Sequence, residues 1–205
     1  MGTACLWRVA PRAPSPNRRA TDDVTLSLFT RCGVFGSAML LSACCFFPGY
    51  RHKTDTIPPT TGSLTVAPAS SFAYVPAEIG QLSPNRIQNT ASSSITLKKN
   101  IDVSVRDAVA KTLTRAGVNT ADSARILTAR IEAFSVEDAR APAWWTLKMH
   151  YVLTETDSKR ELYASTKTVR RQFHTFTNNT IALEDTVAAN VSALLGDPDF
   201  VRVLH

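Results

Sequence analysis

The sequence predicts an α+β domain, a two-layer sandwich in which an antiparallel sheet carries two helices packed on one face. Two stretches, near residues 101–116 and 180–195, place apolar residues at helical spacing. Three stretches between them alternate apolar and polar residues with a period of two. A shorter strand-like stretch precedes the first helix, so the element order is β-α-β-β-β-α.

Ser63 to Pro68 is the first strand, with Leu64 and Val66 on one face, and Phe72, Tyr74 and Val75 continue it. Residues 77–94 are polar and turn-rich, with Gly80, Pro84, Asn85, Asn89 and Ser92 to Ser94. A loop of that length is unusual in a compact domain, so it is either functional or holds further structure. Val105, Val109, Leu113 and Ala116 then fall on one face of a helix from about Ile101 to Ala116. Asp102 and Asp107 near its start, and Lys111 and Arg115 near its end, complement the macrodipole, and Gly117 stops it.

The three alternating strands follow. Leu127, Ala129, Ile131 and Ala133 alternate with Thr128, Arg130 and Glu132. Trp145, Leu147, Met149, Tyr151 and Leu153 alternate with Thr146, Lys148, His150 and Thr154. Leu162, Ala164, Thr166 and Thr168 alternate with Tyr163, Ser165, Lys167 and Val169. Such alternation marks antiparallel strands buried on one side. Ala141-Pro142-Ala143 breaks the chain after the first, and Thr156-Asp157-Ser158-Lys159 is a hairpin-sized turn after the second. The last helix runs from about Thr180 to Leu195, with Val187, Val191, Leu194 and Leu195 as its apolar stripe. Gly196, Asp197 and Pro198 end it.

The chain has 205 residues, room for one domain plus tails, and its 44% apolar content suffices for a packed core. The net charge of +6 divides into +3 over residues 1–45 (five Arg, two Asp) and +3 over residues 46–205. The domain itself is thus only mildly basic, and a nucleic-acid partner is not expected. Cys5, Cys32, Cys44 and Cys45 are the four cysteines. The domain therefore has no disulfide, no thiolate nucleophile and no cysteine metal ligand.

Residues 32–43 form an uncharged run bounded upstream by Arg31. Its length suits the apolar region of an export signal, whereas a membrane span needs about 20 apolar residues. It ends in Leu41-Ser42-Ala43-Cys44, which resembles the lipobox of bacterial lipoproteins. The resemblance implies cleavage before Cys44, a diacylglycerol on its thiol and acylation of the new amino group. Membrane attachment would then run through acylated Cys44. Cys45 rather than Asp after it implies, by the same resemblance, the outer membrane, with the domain facing the periplasm. The expected organisation is a signal peptide over 1–43, lipidated cysteine and tether over 44–62, and an α+β domain over 63–205. Residues 1–23, with three prolines and four arginines, exceed what a short basic leader needs. The expected translation start is therefore downstream of Met1, at Val24, Leu26 or Leu28, with Val24 favoured.

The element order together with the lipobox is similar to that of small envelope lipoprotein domains. These include the YajG-like lipoproteins, the auxiliary lipoproteins of ABC-type transport systems and the amino-terminal domain of TolB. Ala116-Gly117-Val118, Asn190, Leu194-Leu195 and Asp197 carry the resemblance, over residues 63–205. It implies the fold and a leaning toward an accessory role beside an envelope protein partner.

No motif for catalysis, phosphate binding or a cofactor occurs. His52, His150, His174 and His205 are not at metal-ligand spacing. The carboxylate pairs Glu137-Asp138 and Glu184-Asp185 sit at a strand end and a helix start, where acids are ordinary. The expectation is no enzyme, no cofactor and no metal. One constellation stands out. The strand registers place Arg130, Lys148, His150, Lys167 and Arg171 on the outer sheet face, with Trp144, Tyr163 and Phe173 on it or at its rim, and with Glu132 and Glu161 diluting the charge. Such a face could take an anionic envelope lipid or glycan, or an acidic protein; it also fits an ordinary solvated sheet face. The sequence does not set the oligomeric state.

Overall fold

Three long strands form the body of the sheet in the computed structural model, which describes residues 57–91, 94–121, 124–174 and 177–205. They are β5 (Arg125–Glu137), β6 (Ala143–Glu155) and β7 (Glu161–Phe173), each antiparallel to the next. Cys44, the signal and most of the tether lie outside the described residues. The β6–β7 turn closes with Glu155 N–H donating to Arg160 O, and Lys159 turns it in the left-handed region at φ 55°.

The other edge of β5 departs from the expected all-antiparallel sheet. Three short strands run along it in succession, all parallel to it: β1 (Thr65–Val66), β2 (Phe72–Tyr74) and β3 (Arg86–Asn89). The single four-residue helix α1 (Val75–Glu78) follows β2. The sheet is therefore mixed, with β4 (Ile95–Thr96) antiparallel outside β3. The turn-rich 77–94 stretch thus holds a strand. Ile87 anchors it in the core, and the Tyr74 hydroxyl donates to Arg86 O at 2.9 Å. Burial lifts the Tyr74 pKa to about 12.

α2 (Ile101–Ala116) and α3 (Asn179–Leu195) lie on one face of the sheet, as expected. α2 buries Val105, Val109, Leu113 and Ala116 and ends on Gly117 at φ 95°, a conformation that favours glycine. α3 begins with the Asn178 side chain accepting from Thr180 N–H and buries Val187, Val191, Leu194 and Leu195. A further helix, α4 (Pro198–Leu204), was not expected. The Asp197 side chain caps it, Pro198 supplies its first turn, and Phe200 and Leu204 fill the core one turn apart. Its end fits against Gly62, where an added Cβ would lie 2.8 Å from the Leu204 Cβ.

Two facing assignments change. In β5 the pairing shifts between Ile131 and Ala133, so that Leu127, Ala129 and Ile131 are buried before it and Phe134 and Val136 after it. Ala133, expected inside, moves to the outer face because the extra residue reverses the alternation. In β7 the alternation from Tyr163 to Phe173 is the reverse of the expected one, while a shift in the pairing between Tyr163 and Glu161 leaves Glu161 opposite Thr154 on the outer face, where it was expected. Leu153 stands opposite Tyr163, Met149 opposite Lys167, Leu147 opposite Val169 and Trp145 opposite Arg171. Directly opposed residues share a face, so Tyr163, Lys167, Val169, Arg171 and Phe173 all turn toward the helices.

Candidate functional site

Of the five residues expected on the outer face, Arg130, Lys148 and His150 are there, and Lys167 and Arg171 are not. Arg170 stands on the outer face instead, with Trp144 beneath its guanidinium at 4.5 Å from the ring centroid. Tyr163 and Phe173 leave the face with Lys167. The residue that sequence reasoning missed is thus Arg170. The odd-numbered Tyr163, Val169 and Phe173 were the signal that could have found it.

Each of the three outer-face arginine and lysine side chains named here lies beside a carboxylate. Lys148 Nζ is 2.9 Å from Glu132 Oε2, and Arg170 Nη2 is 2.8 Å from Glu137 Oε2. Arg130 Nη2 is 3.9 Å from Glu78 Oε2, a carboxylate brought by α1. The His150 ring nitrogen Nδ1 meets the Thr166 hydroxyl at 3.0 Å. These pairs are exposed, and each contributes about 0–1 kcal/mol. A phosphate on this face would have to compete with a carboxylate for every one of these cations. The face is a polar, charge-balanced surface with hydroxyls from Thr128, Thr146, Thr166 and Thr168 between the pairs.

Lys167 has a different task. On the helix side its Nζ donates to Asp197 Oδ2 at 2.5 Å, and the Tyr163 hydroxyl donates to the same oxygen at 2.7 Å. The Lys167 and Asp197 side chains are only 17% and 18% exposed. Asp197 also accepts from Asp199 N–H at 3.0 Å. This carboxylate therefore joins the sheet to the α3–α4 junction. The bonds from Lys167, and then from Tyr163, hold its pKa at about 2, well below the ordinary carboxylate range. Burial opposes the Lys167 charge, but the bonds to Asp197 and Tyr163 outweigh it and leave its pKa raised.

The consequence for stability has a definite sign. A depressed carboxylate pKa stabilises the fold above the unfolded value near 4, and that contribution is lost as pH falls toward about 2. The full contribution is on the order of 2 kcal/mol. Acid unfolding of the parent chain and of Asp197→Asn checks this. The parent is expected to lose about 2 kcal/mol more than the variant between pH 4 and pH 2. Parallel curves over that range would show that Asp197 is not the group responsible.

The remaining expected pairs are structural. Glu184 meets Lys111 at 2.7 Å and ties α3 to α2. Asp138 Oδ2 accepts from Asn89 Nδ2 at 3.0 Å, joining the end of β5 to β3. Among the described residues no three His, Cys, Asp or Glu side chains are placed to hold a metal ion, and no helix is long and apolar enough to cross a membrane.

No protein-family model matches the chain, and no curated protein matches it in sequence. Solved structures resemble it at a distance. One is a Xanthomonas campestris protein of the DUF330 family, at 16% identity and a TM-score of 0.46, covering 73% of this chain and 86% of that one. A lipoprotein of Neisseria meningitidis aligns at 14% identity and a TM-score of 0.32, over 66% of this chain and 99% of that one. A minor lipoprotein of Acinetobacter baumannii aligns at 10% identity and a TM-score of 0.32, over 67% and 92%. Likenesses this distant say nothing about activity, ligand or partner.

Proposed function

We propose that the chain is a lipid-anchored periplasmic protein that works by contact, as an accessory part of envelope transport or assembly. The observation that carries the reading is Leu41-Ser42-Ala43-Cys44 at the end of an uncharged run of signal length. In this reading residues 1–43 are removed, Cys44 holds the acyl chains in the outer membrane, and residues up to 62 tether the 63–205 domain. The chemistry of the domain supports action by contact. Its buried Asn190 and largely buried Asp197 are spent on joining helices to the sheet, and the outer-face cations Arg130, Lys148 and Arg170 stand beside carboxylates. The partner is then an envelope protein that recognises a surface, and no cofactor takes part.

The test is acyl labelling of the parent chain and of Cys44→Ala in a bacterial host. The parent is expected to take up labelled palmitate and to fractionate with the outer membrane. The variant is expected to lose essentially all label and to accumulate as uncut precursor or as released protein. Undiminished labelling of Cys44→Ala would end the proposal.

A further inference from the structure

The charge balance of the outer face ends at β5. Beyond it β3 and β4 form a hairpin, with Ile87 buried and Arg86 and Gln88 turned to the outer side. Residues 79–101 hold three cations, Arg86, Lys98 and Lys99, and no Asp or Glu. Arg86 and Lys98 are exposed, and neither makes an ion pair among the described residues. Lys99 Nζ reaches Asp107 only at 3.8 Å, with 68% of its side chain exposed. Solvated surfaces ordinarily intersperse both signs, as β5 to β7 do here. Ile79 opens the same stretch and is 60% exposed, one of two large apolar side chains left so among the described residues.

The hairpin is held in place and held apart from the tether. The bond from the Tyr74 hydroxyl to Arg86 O closes residues 75–85 into one loop, which carries Ile79, on the base of the hairpin. Arg86 lies two residues before Gln88, which pairs with Ser135, so it stands level with Ala133, and Ala133 is opposite Lys148. Arg86 and Lys148 therefore flank a single methyl group, their strands about 10 Å apart. The tether joins the domain at the β1 end, where Gly62 O accepts from Asn119 N–H and Thr65 is level with Ile126. From Ile126 to Ser135 is nine residues along β5, or about 30 Å.

We propose that this hairpin, with Ile79, is the surface on which the envelope protein partner docks, and that the partner presents an acidic segment carrying an apolar side chain. The proposal rests on the accessory reading and names the chemistry of its partner. Charge complementarity selects an acidic ligand. An incoming carboxylate finds Arg86 and Lys98 uncommitted, whereas at Arg130, Lys148 or Arg170 it must displace a carboxylate already there. Ile79 offers apolar area that an apolar side chain of the partner covers. The distance from the tether's point of entry selects a protein over the lipid surface that holds the anchor.

Fluorescence anisotropy of the full chain in nonionic detergent tests this with two labelled probes, poly-L-glutamate and a glutamate-rich copolymer of glutamate and tyrosine. Both are expected to bind, the copolymer more tightly, and both to be released at high salt. Arg86→Glu with Lys98→Glu is expected to weaken both about ten-fold. Arg115→Glu with Lys159→Glu, an equal change of charge at exposed positions outside the hairpin, is expected to weaken them less than about two-fold. Ile79→Ser is expected to erase the preference for the copolymer and to leave poly-L-glutamate binding unchanged. All five positions are exposed, so each variant is expected to melt with the parent. Equal weakening by the two charge-reversed pairs, or a parent that binds neither probe, overturns the proposal. A copolymer preference that survives Ile79→Ser overturns the role of Ile79. Phosphatidylglycerol added to the micelles is expected not to compete; competition that Arg86→Glu with Lys98→Glu abolishes would assign the cations to lipid and overturn the protein partner. A chain that is acylated at Cys44 yet binds neither probe loses this surface and keeps the anchored reading, so the two failures are distinct.

Discussion

Replacing Trp145 with Ala is expected to lower stability by about 3–5 kcal/mol, while the same change at its neighbour Trp144 is expected to cost about 1 kcal/mol or less. The two residues are consecutive on β6 and project to opposite faces. Trp145 is buried between Phe134 of β5 and Phe173 of β7, with ring centroids at 5.7 and 6.0 Å and edge-to-face angles of 66° and 75°. Truncation removes a large apolar area, opens a cavity and breaks two aromatic pairs worth about 0.5–1.5 kcal/mol each beyond burial. Trp144 lies on the outer face, and its Arg170 partner can return to water or to Glu137 when the ring is gone. Urea unfolding of the two variants separates the faces. Equal losses, or the larger loss at Trp144, would mean that the facing of β6 is wrong.

That contrast also shows where the sequence was legible. On β6 five large apolar residues, Trp145 to Leu153, occupy one parity and polar groups most of the other, so the facing is readable without a structure. β7 carries apolar residues on both parities, Leu162 and Ala164 on one and Tyr163, Val169 and Phe173 on the other. Its alternation is decided by its pairing with β6. The error moved Lys167 and Arg171 to the wrong side and hid Arg170. In β5 both parities are again apolar, one up to Ile131 and the other from Phe134. A bulge reconciles them, and nothing local says where it falls. β3 offers only Ile87 as an apolar residue in a polar run, too little for any period. α4 announced itself through Asp197-Pro198, an N-cap followed by proline, which reads equally as the end of the preceding helix. The helices α2 and α3 were legible from their apolar spacing and from the glycines that follow them, Gly117 and Gly196; in α2 the charges agree as well, with Asp102 in its first turn and Arg115 in its last.

The last prediction concerns Asn190, a fully buried polar side chain on the apolar stripe of α3 between Val187 and Leu194. Its two amide hydrogens are taken up by Leu147 O and Lys167 O, and its Oδ1 accepts from the Tyr151 hydroxyl at 2.9 Å. Tyr151 is itself buried, and the absence of water holds its pKa far above the ordinary value. Asn190→Leu keeps the volume but leaves this hydroxyl without its oxygen partner and removes one donor from each carbonyl. The carbonyls keep their ladder bonds to the neighbouring strand, so the hydroxyl bears most of the penalty, and the total loss is expected to be about 2–4 kcal/mol. Asn190→Asp distinguishes hydrogen bonding from packing. A carboxylate there would face two carbonyl oxygens in a dry site, so its pKa in the folded chain rises and the protonated form is favoured. A raised carboxylate pKa withdraws stability as pH climbs above the unfolded value near 4. Measured as a difference from the parent at each pH, the penalty of Asn190→Asp is therefore expected to grow from pH 4 to pH 7. That of Asn190→Leu is expected to stay constant. A pH-independent penalty in Asn190→Asp would mean that the site admits water and that the two carbonyls do not define it.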